Sequence, residues 1–167
     1  CLNLGVNQNI IKKSLKGFSG VQRRMTKIFS KNQNDFYDDY AHHPTEISSI
    51  LESVRNVFKN KKIISVFEPH RYSRVLSLKK EFAKSFIKSD LVLLCPLYAA
   101  GEKRDTRYDQ TNFGKLISKF SQTQVILLKD LREIRIYLKK NLFKDELIIG
   151  MGAGLISKSM RELERTI

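Results

Sequence analysis

Four short, nearly continuous apolar runs, at 63–67, 91–95, 125–128 and 147–149, constrain this chain's fold more than any other feature. None alternates apolar with polar residues at a period of two. Runs of this kind suit strands that are covered on both faces, as in a parallel sheet. The segments between them carry apolar residues at helical spacing instead. After Pro44, which belongs in the first turn of a helix, Ile47, Ile50, Leu51, Val54, Val57 and Phe58 fall on one face up to Asn60. Val75, Leu78, Phe82 and Phe86 do the same after the first run, and Phe113, Leu116, Ile117 and Phe120 after the second. A helix over 131–142 follows the third, and a closing helix places Ile156, Met160, Leu163 and Ile167 on one side.

Upstream, Ile10, Ile11 and Leu15 predict a short helix ending at Lys16, with Gly17 in the C-terminal cap position. β-formers at 25–29 and 35–40 flank the polar run 30–34, which predicts a hairpin with a loop of about five residues. The expected architecture is therefore α/β. It is a Rossmann-like, doubly wound, mostly parallel sheet of about six strands, with an N-terminal hairpin and helices on both faces.

A length of 167 residues suits one domain that buries its core without disulfides. Cys1 and Cys95 stand far apart with no His at ligand spacing, so neither a disulfide framework nor a zinc site is indicated, and a reducing cytoplasm is the expected setting. The longest nearly apolar run, 91–100, is about half of what a bilayer-spanning helix needs and contains Pro96, so no membrane partner is expected. The start, Cys1-Leu2-Asn3-Leu4-Gly5, has neither Met nor a secretory pattern and reads as a chain entered partway through.

With 31 Lys and Arg against 17 Asp and Glu, the net charge is +14 and the isoelectric point near 9.9, a balance that invites a nucleic-acid reading. Of the basic residues 20 are Lys, however, and they are scattered along the chain rather than interleaved with aromatic residues. A solvated Lys surface accounts for that pattern, and nucleic acid is not the expected partner.

In an open α/β sheet, ligands bind beyond the carboxyl ends of the strands. Four segments fall there: 38–44, 68–74, 96–102 and 150–154. They hold all three histidines (His42, His43, His70), the pair Asp38 and Asp39, and Arg71 and Arg74 in a chain whose surface is otherwise Lys-rich. Each has a bland alternative. The aspartates can favour a helix N-terminus, His42 or His43 can cap the helix at Pro44, and the arginines can be solvated. Arg nevertheless offers a planar fork to phosphate or carboxylate where Lys offers a point charge. Gly150, Gly152 and Gly154 match neither GxGxxG nor a P-loop, so close backbone packing is the expected role. No Walker A sequence and no G-x-S-x-G elbow occurs, which argues against a self-sufficient NTPase or a serine-nucleophile enzyme.

The blocks Asp38-Asp39-Tyr40-Ala41-His42-His43-Pro44-Thr45-Glu46, Glu68-Pro69-His70-Arg71-Tyr72-Ser73-Arg74 and Tyr98-Ala99-Ala100-Gly101-Glu102 together resemble the C-terminal domain of the Mur ligase family. Gly20-Val21-Gln22-Arg23-Arg24 resembles the hinge that leads into it. The His-Arg-Tyr-Ser-Arg block resembles the branch that joins L-alanine to UDP-N-acetylmuramate in peptidoglycan synthesis. The first block is shared with a sibling that adds a tripeptide to the same nucleotide sugar.

That resemblance implies residues 1–19 as the tail of a central ATPase domain, 20–24 as the hinge and 25–167 as the C-terminal domain. It also implies an ATP-dependent ligase in which the central domain, outside this chain, holds the P-loop and Mg²⁺. The expected partners are UDP-N-acetylmuramate, L-alanine, ATP and the protein's own central and N-terminal domains. Activation of the muramyl carboxylate as an acyl phosphate, followed by attack of the alanine amine, is the implied reaction, with this domain closing over the site. By the same resemblance Arg24 and Asp39 contact ATP, at its phosphates and its ribose hydroxyls respectively, and Tyr40 and His42 face the reacting region. His70, Arg71 and Arg74 meet the nucleotide sugar or the alanine carboxylate, and no residue of this chain is a metal ligand. The choices between Arg23 and Arg24, and between His42 and His43, stay open at this level.

Overall fold

The computed structural model describes residues 1–17 and 21–167. Residues 18 and 19 of the expected 1–19 segment, and Gly20 of the expected hinge, lie outside the described residues. After a 3₁₀ turn at Leu2–Leu4, helix α1 (Gln8–Lys16) precedes the hairpin β1 (Thr26–Lys31) and β2 (Asn34–Asp39). Then follow α2 (Pro44–Val57), β3 (Lys62–Phe67), α3 (Tyr72–Ser77), α4 (Lys79–Lys84) and β4 (Leu91–Leu94). The chain closes with α5 (Gln110–Ser121), β5 (Gln124–Leu127), α6 (Arg132–Asn141), β6 (Glu146–Met151) and α7 (Ile156–Thr166).

These strands form one six-stranded sheet in the order β1-β2-β6-β3-β4-β5. Only β1 runs antiparallel to its neighbour; the β2–β6, β6–β3, β3–β4 and β4–β5 pairs are parallel. The apolar runs occupy the covered strands, and successive residues serve opposite faces. Ile63 and Phe67 of β3 face a core with Ile47, Leu51 and Val54 of α2, Phe82 of α4 and Phe113 of α5. Ile64 and Val66 face the other core, with Ile134 and Leu138 of α6 and Ile156, Met160 and Leu163 of α7. Each such side chain, fully buried, stabilises the fold by about 1.5–3 kcal/mol.

Several boundaries depart from the periodicity. The hairpin loop has two residues, not five: Ser30 and Lys31 pair with Asp35 and Asn34, leaving Asn32 and Gln33 at φ +52° and +66°. A two-residue turn with both φ positive matches the twist of the flanking strands, and the buried Asn34 that extends the ladder is satisfied by the Phe143 carbonyl and the Glu146 N–H. The helix expected through Val75 and Phe86 breaks at Leu78 (φ −115°, ψ 29°) into α3 and α4. Val57, expected on the apolar face of α2, is exposed because the helix ends there. β5 lies at the open edge, so its Leu127 is partly exposed although its sequence is as apolar as that of a central strand.

Candidate active site at the carboxyl ends of the strands

Strands β2, β6, β3 and β4 are consecutive in the sheet, so the segments that leave their carboxyl ends share one crevice. Four rings from three of those segments form a row across it. The ring centroids of Tyr40 and His42 are 4.9 Å apart, those of His42 and His70 5.8 Å, and those of His70 and Tyr98 5.6 Å. The guanidinium of Arg23 lies over the far side of the Tyr40 ring, 4.6 Å from its centroid. His70 and Tyr98 sit side by side because the β3–β4 pairing resumes beyond the strands. Tyr98 N–H donates to the Pro69 carbonyl at 2.8 Å, and Arg71 N–H donates to that of Tyr98 at 2.9 Å.

Arg71 has φ +70° and ψ +129°, a backbone conformation that a side-chain-bearing residue adopts only when its surroundings impose it. Besides the bond to Tyr98, Glu102 imposes it. Its carboxylate accepts from Ser73 N–H at 3.1 Å and from the Ser73 hydroxyl, and these bonds hold its pKa below the usual carboxylate range. Ala100 and Gly101, with φ +50° and +85°, make the turn that brings Glu102 back to Ser73. The side chain of Arg71 is thereby left exposed at the crevice, while Arg74, one turn on, donates from Nη1 to Nδ1 of His70 at 3.2 Å. Burial lowers the pKa of His70, and the charge of Arg74 and Arg71 adds to the effect.

The two aspartates at the end of β2 diverge, as alternate residues of a strand must. Asp38 is buried toward α7, accepting from Ser157 Oγ at 2.5 Å and Arg161 Nη2 at 3.2 Å. Asp39 is equally buried on the other face, where its two oxygens accept from Met25 N–H and Ala41 N–H, each at 2.7 Å. Burial raises its pKa against those two amide bonds. Neither aspartate sits at the N-terminus of α2; Glu46 does, accepting from His42 N–H at 3.0 Å and His43 N–H at 3.2 Å. His43 is the N-cap of that helix, which leaves His42 alone in the ring row.

The two candidate arginines before β1 also separate. Arg23 is built into the fold: Nη2 donates to the Gly152 carbonyl at 2.6 Å, Nε lies 4.0 Å from Asp38, and its own carbonyl accepts from Tyr40 N–H at 2.8 Å. Arg24 is exposed, and its charge acts on Asp39 and Glu46.

Of the residues expected at the site, Tyr40, His42, His70, Arg71 and Arg74 thus converge, Arg24 and Asp39 flank them, and Gly150, Gly152 and Gly154 serve packing. A Cβ at Gly154 would stand 2.5 Å from Glu68 Oε2 and 2.7 Å from the Tyr98 ring. Sequence reasoning assigned no role to Glu68 or Glu102. Glu68 is buried and accepts from Ile156 N–H at 3.1 Å at the start of α7, so it clamps the glycine segment to β3. An acid directly after an apolar strand, in a chain poor in acids, is the signal that marks it. Cys95, at the end of β4, is fully buried with its thiol pushed well up, which removes it as a nucleophile. Among the described residues no cluster of three or more His, Cys, Asp or Glu could hold a metal ion, and no helix is long and apolar enough to cross a membrane.

Comparison with known proteins gives this crevice its relatives. Residues 23–154 match the family model described as Mur ligase, glutamate ligase domain. The UDP-N-acetylmuramate--L-alanine ligase of Pelagibacter ubique (strain HTCC1062) is 48% identical over 166 residues, which is 99% of this chain and 36% of that protein. The ligase of the same name from Ruthia magnifica is 34% identical over 158 residues, covering 92% of this chain and 34% of that protein. Among solved structures, the UDP-N-acetylmuramate-alanine ligase of Thermotoga maritima superposes with a TM-score of 0.78 at 25% identity, covering 98% of this chain and 34% of its own. A murein peptide ligase from Psychrobacter arcticus 273-4 shares the fold, with a TM-score of 0.72 at 20% identity, covering 99% of this chain and 34% of its own. The chain therefore spans about a third of the length of the curated relatives it matches.

Proposed function

The chain belongs to the Mur ligase family, and on that premise we propose that it is the C-terminal domain of an ATP-dependent ligase joining L-alanine to UDP-N-acetylmuramate in peptidoglycan synthesis, acting in the cytoplasm. In this reading residues 1–19 end the central ATPase domain, 20–24 form the hinge and 25–167 form the domain that closes. Arg23, near the end of that hinge, is tied to Gly152 and stacked on Tyr40, which anchors the hinge to the sheet.

The observation that carries the proposal is the convergence of Arg71, His70, Arg74 and His42 at one strand-end crevice, on a chain 48% identical to an alanine-adding ligase. ATP supplies the phosphoryl group that activates the muramyl carboxylate, and in this reading the P-loop and Mg²⁺ belong to the central domain, outside this chain. What this chain contributes is position and charge. Arg24 offers an exposed guanidinium to the nucleotide phosphates. Asp39, on the same side, anchors the Met25 and Ala41 amides, so that Arg24 and Tyr40 leave the sheet at a fixed angle. Arg71, held in its unusual backbone conformation before any ligand arrives, takes a carboxylate as a charge-assisted fork, with His70 and Arg74 beside it. Tyr40 and His42 border the reacting groups, and the closing of the ring row over them keeps water from the activated carboxylate.

Arg71→Ala in the intact protein removes a hydrogen bond to a charged group worth about 1.5–3 kcal/mol, so KM for L-alanine should rise roughly 10- to 100-fold. The far-ultraviolet circular dichroism should not change. Unaltered kinetics would remove Arg71 from the site. Supplying tripeptide in place of L-alanine as the amine separates this branch from its sibling: ligation of the tripeptide in preference would reassign the acceptor.

A further inference from the structure

Two ring nitrogens in the crevice have partners whose hydrogen-bonding capacity leaves one answer. A guanidinium only donates, so Nδ1 of His70, 3.2 Å from Arg74 Nη1, accepts, and the neutral ring carries its proton on Nε2. A carbonyl oxygen only accepts, so Nδ1 of His42, 2.9 Å from the Tyr40 carbonyl, donates, with the Glu46 carboxylate 3.4 Å away on the same side. Neutral His42 therefore keeps its free lone pair on Nε2. The two rings meet edge to face at 5.8 Å.

We infer that Arg74 is a positioning residue that locks His70 in its neutral, Nε2-protonated form, so that the paired histidines present one N–H donor and one lone-pair acceptor to the crevice. For an amino-acid ligand this is a polarity code. His70 Nε2–H, with Arg71, takes the carboxylate, and His42 Nε2 accepts from the ammonium group. The ligand's identity rests on the function proposed above; the assignment of the protons does not.

The charges around His70 favour the locked state from nearly every side. Arg74 and Arg71 approach from α3 and its cap and disfavour a second proton, and His42, from the segment after β2, adds to this only when it is itself protonated. Tyr98 stacks on the ring from the segment after β4, and Glu102 on the same segment opposes.

The test is nuclear magnetic resonance of the intact protein labelled with ¹⁵N-histidine, reading each ring's tautomer from two-bond couplings to its carbon-bound protons. His70 should show a protonated Nε2 and a bare Nδ1, and should titrate below an ordinary histidine. Arg74→Met should give a mixture of both neutral forms, with the midpoint rising toward the ordinary value. Arg74→Lys, whose ammonium likewise only donates, should keep both the lowered midpoint and the Nε2-protonated form. His43, the helix cap, is the internal control that neither variant should move.

A wild-type His70 protonated on Nδ1 would overturn the inference, and so would an Arg74→Met spectrum identical to wild type. Should that variant fold poorly, the wild-type tautomer alone decides. The acid limb of the kcat/KM profile should shift to higher pH in Arg74→Met. Failure of the intact protein to ligate L-alanine would dismiss the ligase reading and leave the tautomer result intact, because the spectrum needs no substrate.

Discussion

At the scale of single residues, two carboxylates hold the shape of the site. Glu68 and Glu102 spend their oxygens on protein donors, and what they achieve is the geometry of Gly154 and Arg71. Gly152 shows how little slack there is. Its φ of +152° is one that side-chain-bearing residues rarely adopt, and a Cβ there would stand 2.9 Å from the Glu68 carbonyl oxygen, which is backbone and cannot turn aside. Gly152→Ala should therefore cost about 2–4 kcal/mol, combining overpacking with backbone strain. The check is a lower urea midpoint at unchanged slope; a midpoint within error of wild type would mean that the segment relaxes freely.

At the scale of elements, one carboxylate ties the hairpin to the parallel sheet in addition to the β2–β6 ladder. Asp35 of β2 accepts from Lys27 of β1 at 2.7 Å, from Ser30 of β1 at 2.7 Å and from Lys61, just before β3, at 3.1 Å. Burial alone would raise its pKa, but these three bonds outweigh it and bring it down to about 2, from an ordinary 3.8. The unfolded chain thus binds this proton more readily than the folded one. The stabilisation is complete above about pH 4 and is lost as the pH falls through about 2. Asp35→Asn should cost about 1–2 kcal/mol at pH 7 and progressively less toward pH 2, seen as thermal melting curves that converge on acidification. A penalty independent of pH would show that shape, not charge, is what the carboxylate contributes.

At the scale of the whole molecule, α1 stands apart. None of its residues is buried, and Ile10 and Leu15 are 60% and 65% exposed although the helix is amphipathic. A helix that shields so little apolar surface adds little to the sheet domain. Removing residues 1–17 should change stability by under about 1 kcal/mol, a shift of roughly 2–4 °C at most. A larger loss would place α1 in the core of this unit and move the proposed domain boundary. The charge of +14 also changes meaning at this scale. Part of the Lys excess is spent at the end opposite the crevice, where Lys61 bridges Asp35 and Asp145, whereas at the crevice Arg74 meets the His70 ring and Arg23 the Tyr40 ring.

The sequence by itself determined the sheet, its two cores and the crevice. Those follow from periodicity, and periodicity depends only on which residues are apolar: a short run such as Ile63, Ile64, Val66 and Phe67, rich in β-branched residues, suits a strand covered on both faces. It also placed Tyr40, His42, His70, Arg71 and Arg74 at strand ends, because a strand that stops leaves its next residues at the rim. What it left open were choices between neighbours, and these the tertiary structure decided. His43 caps a helix while His42 joins a ring row, Arg23 is consumed by Gly152 while Arg24 stays exposed, and Asp38 and Asp39 serve opposite faces of one strand. The physical reason is the same each time. Adjacent residues of like chemistry differ only in the direction their side chains take, and direction is set by partners more than a hundred positions away as often as by the next residue.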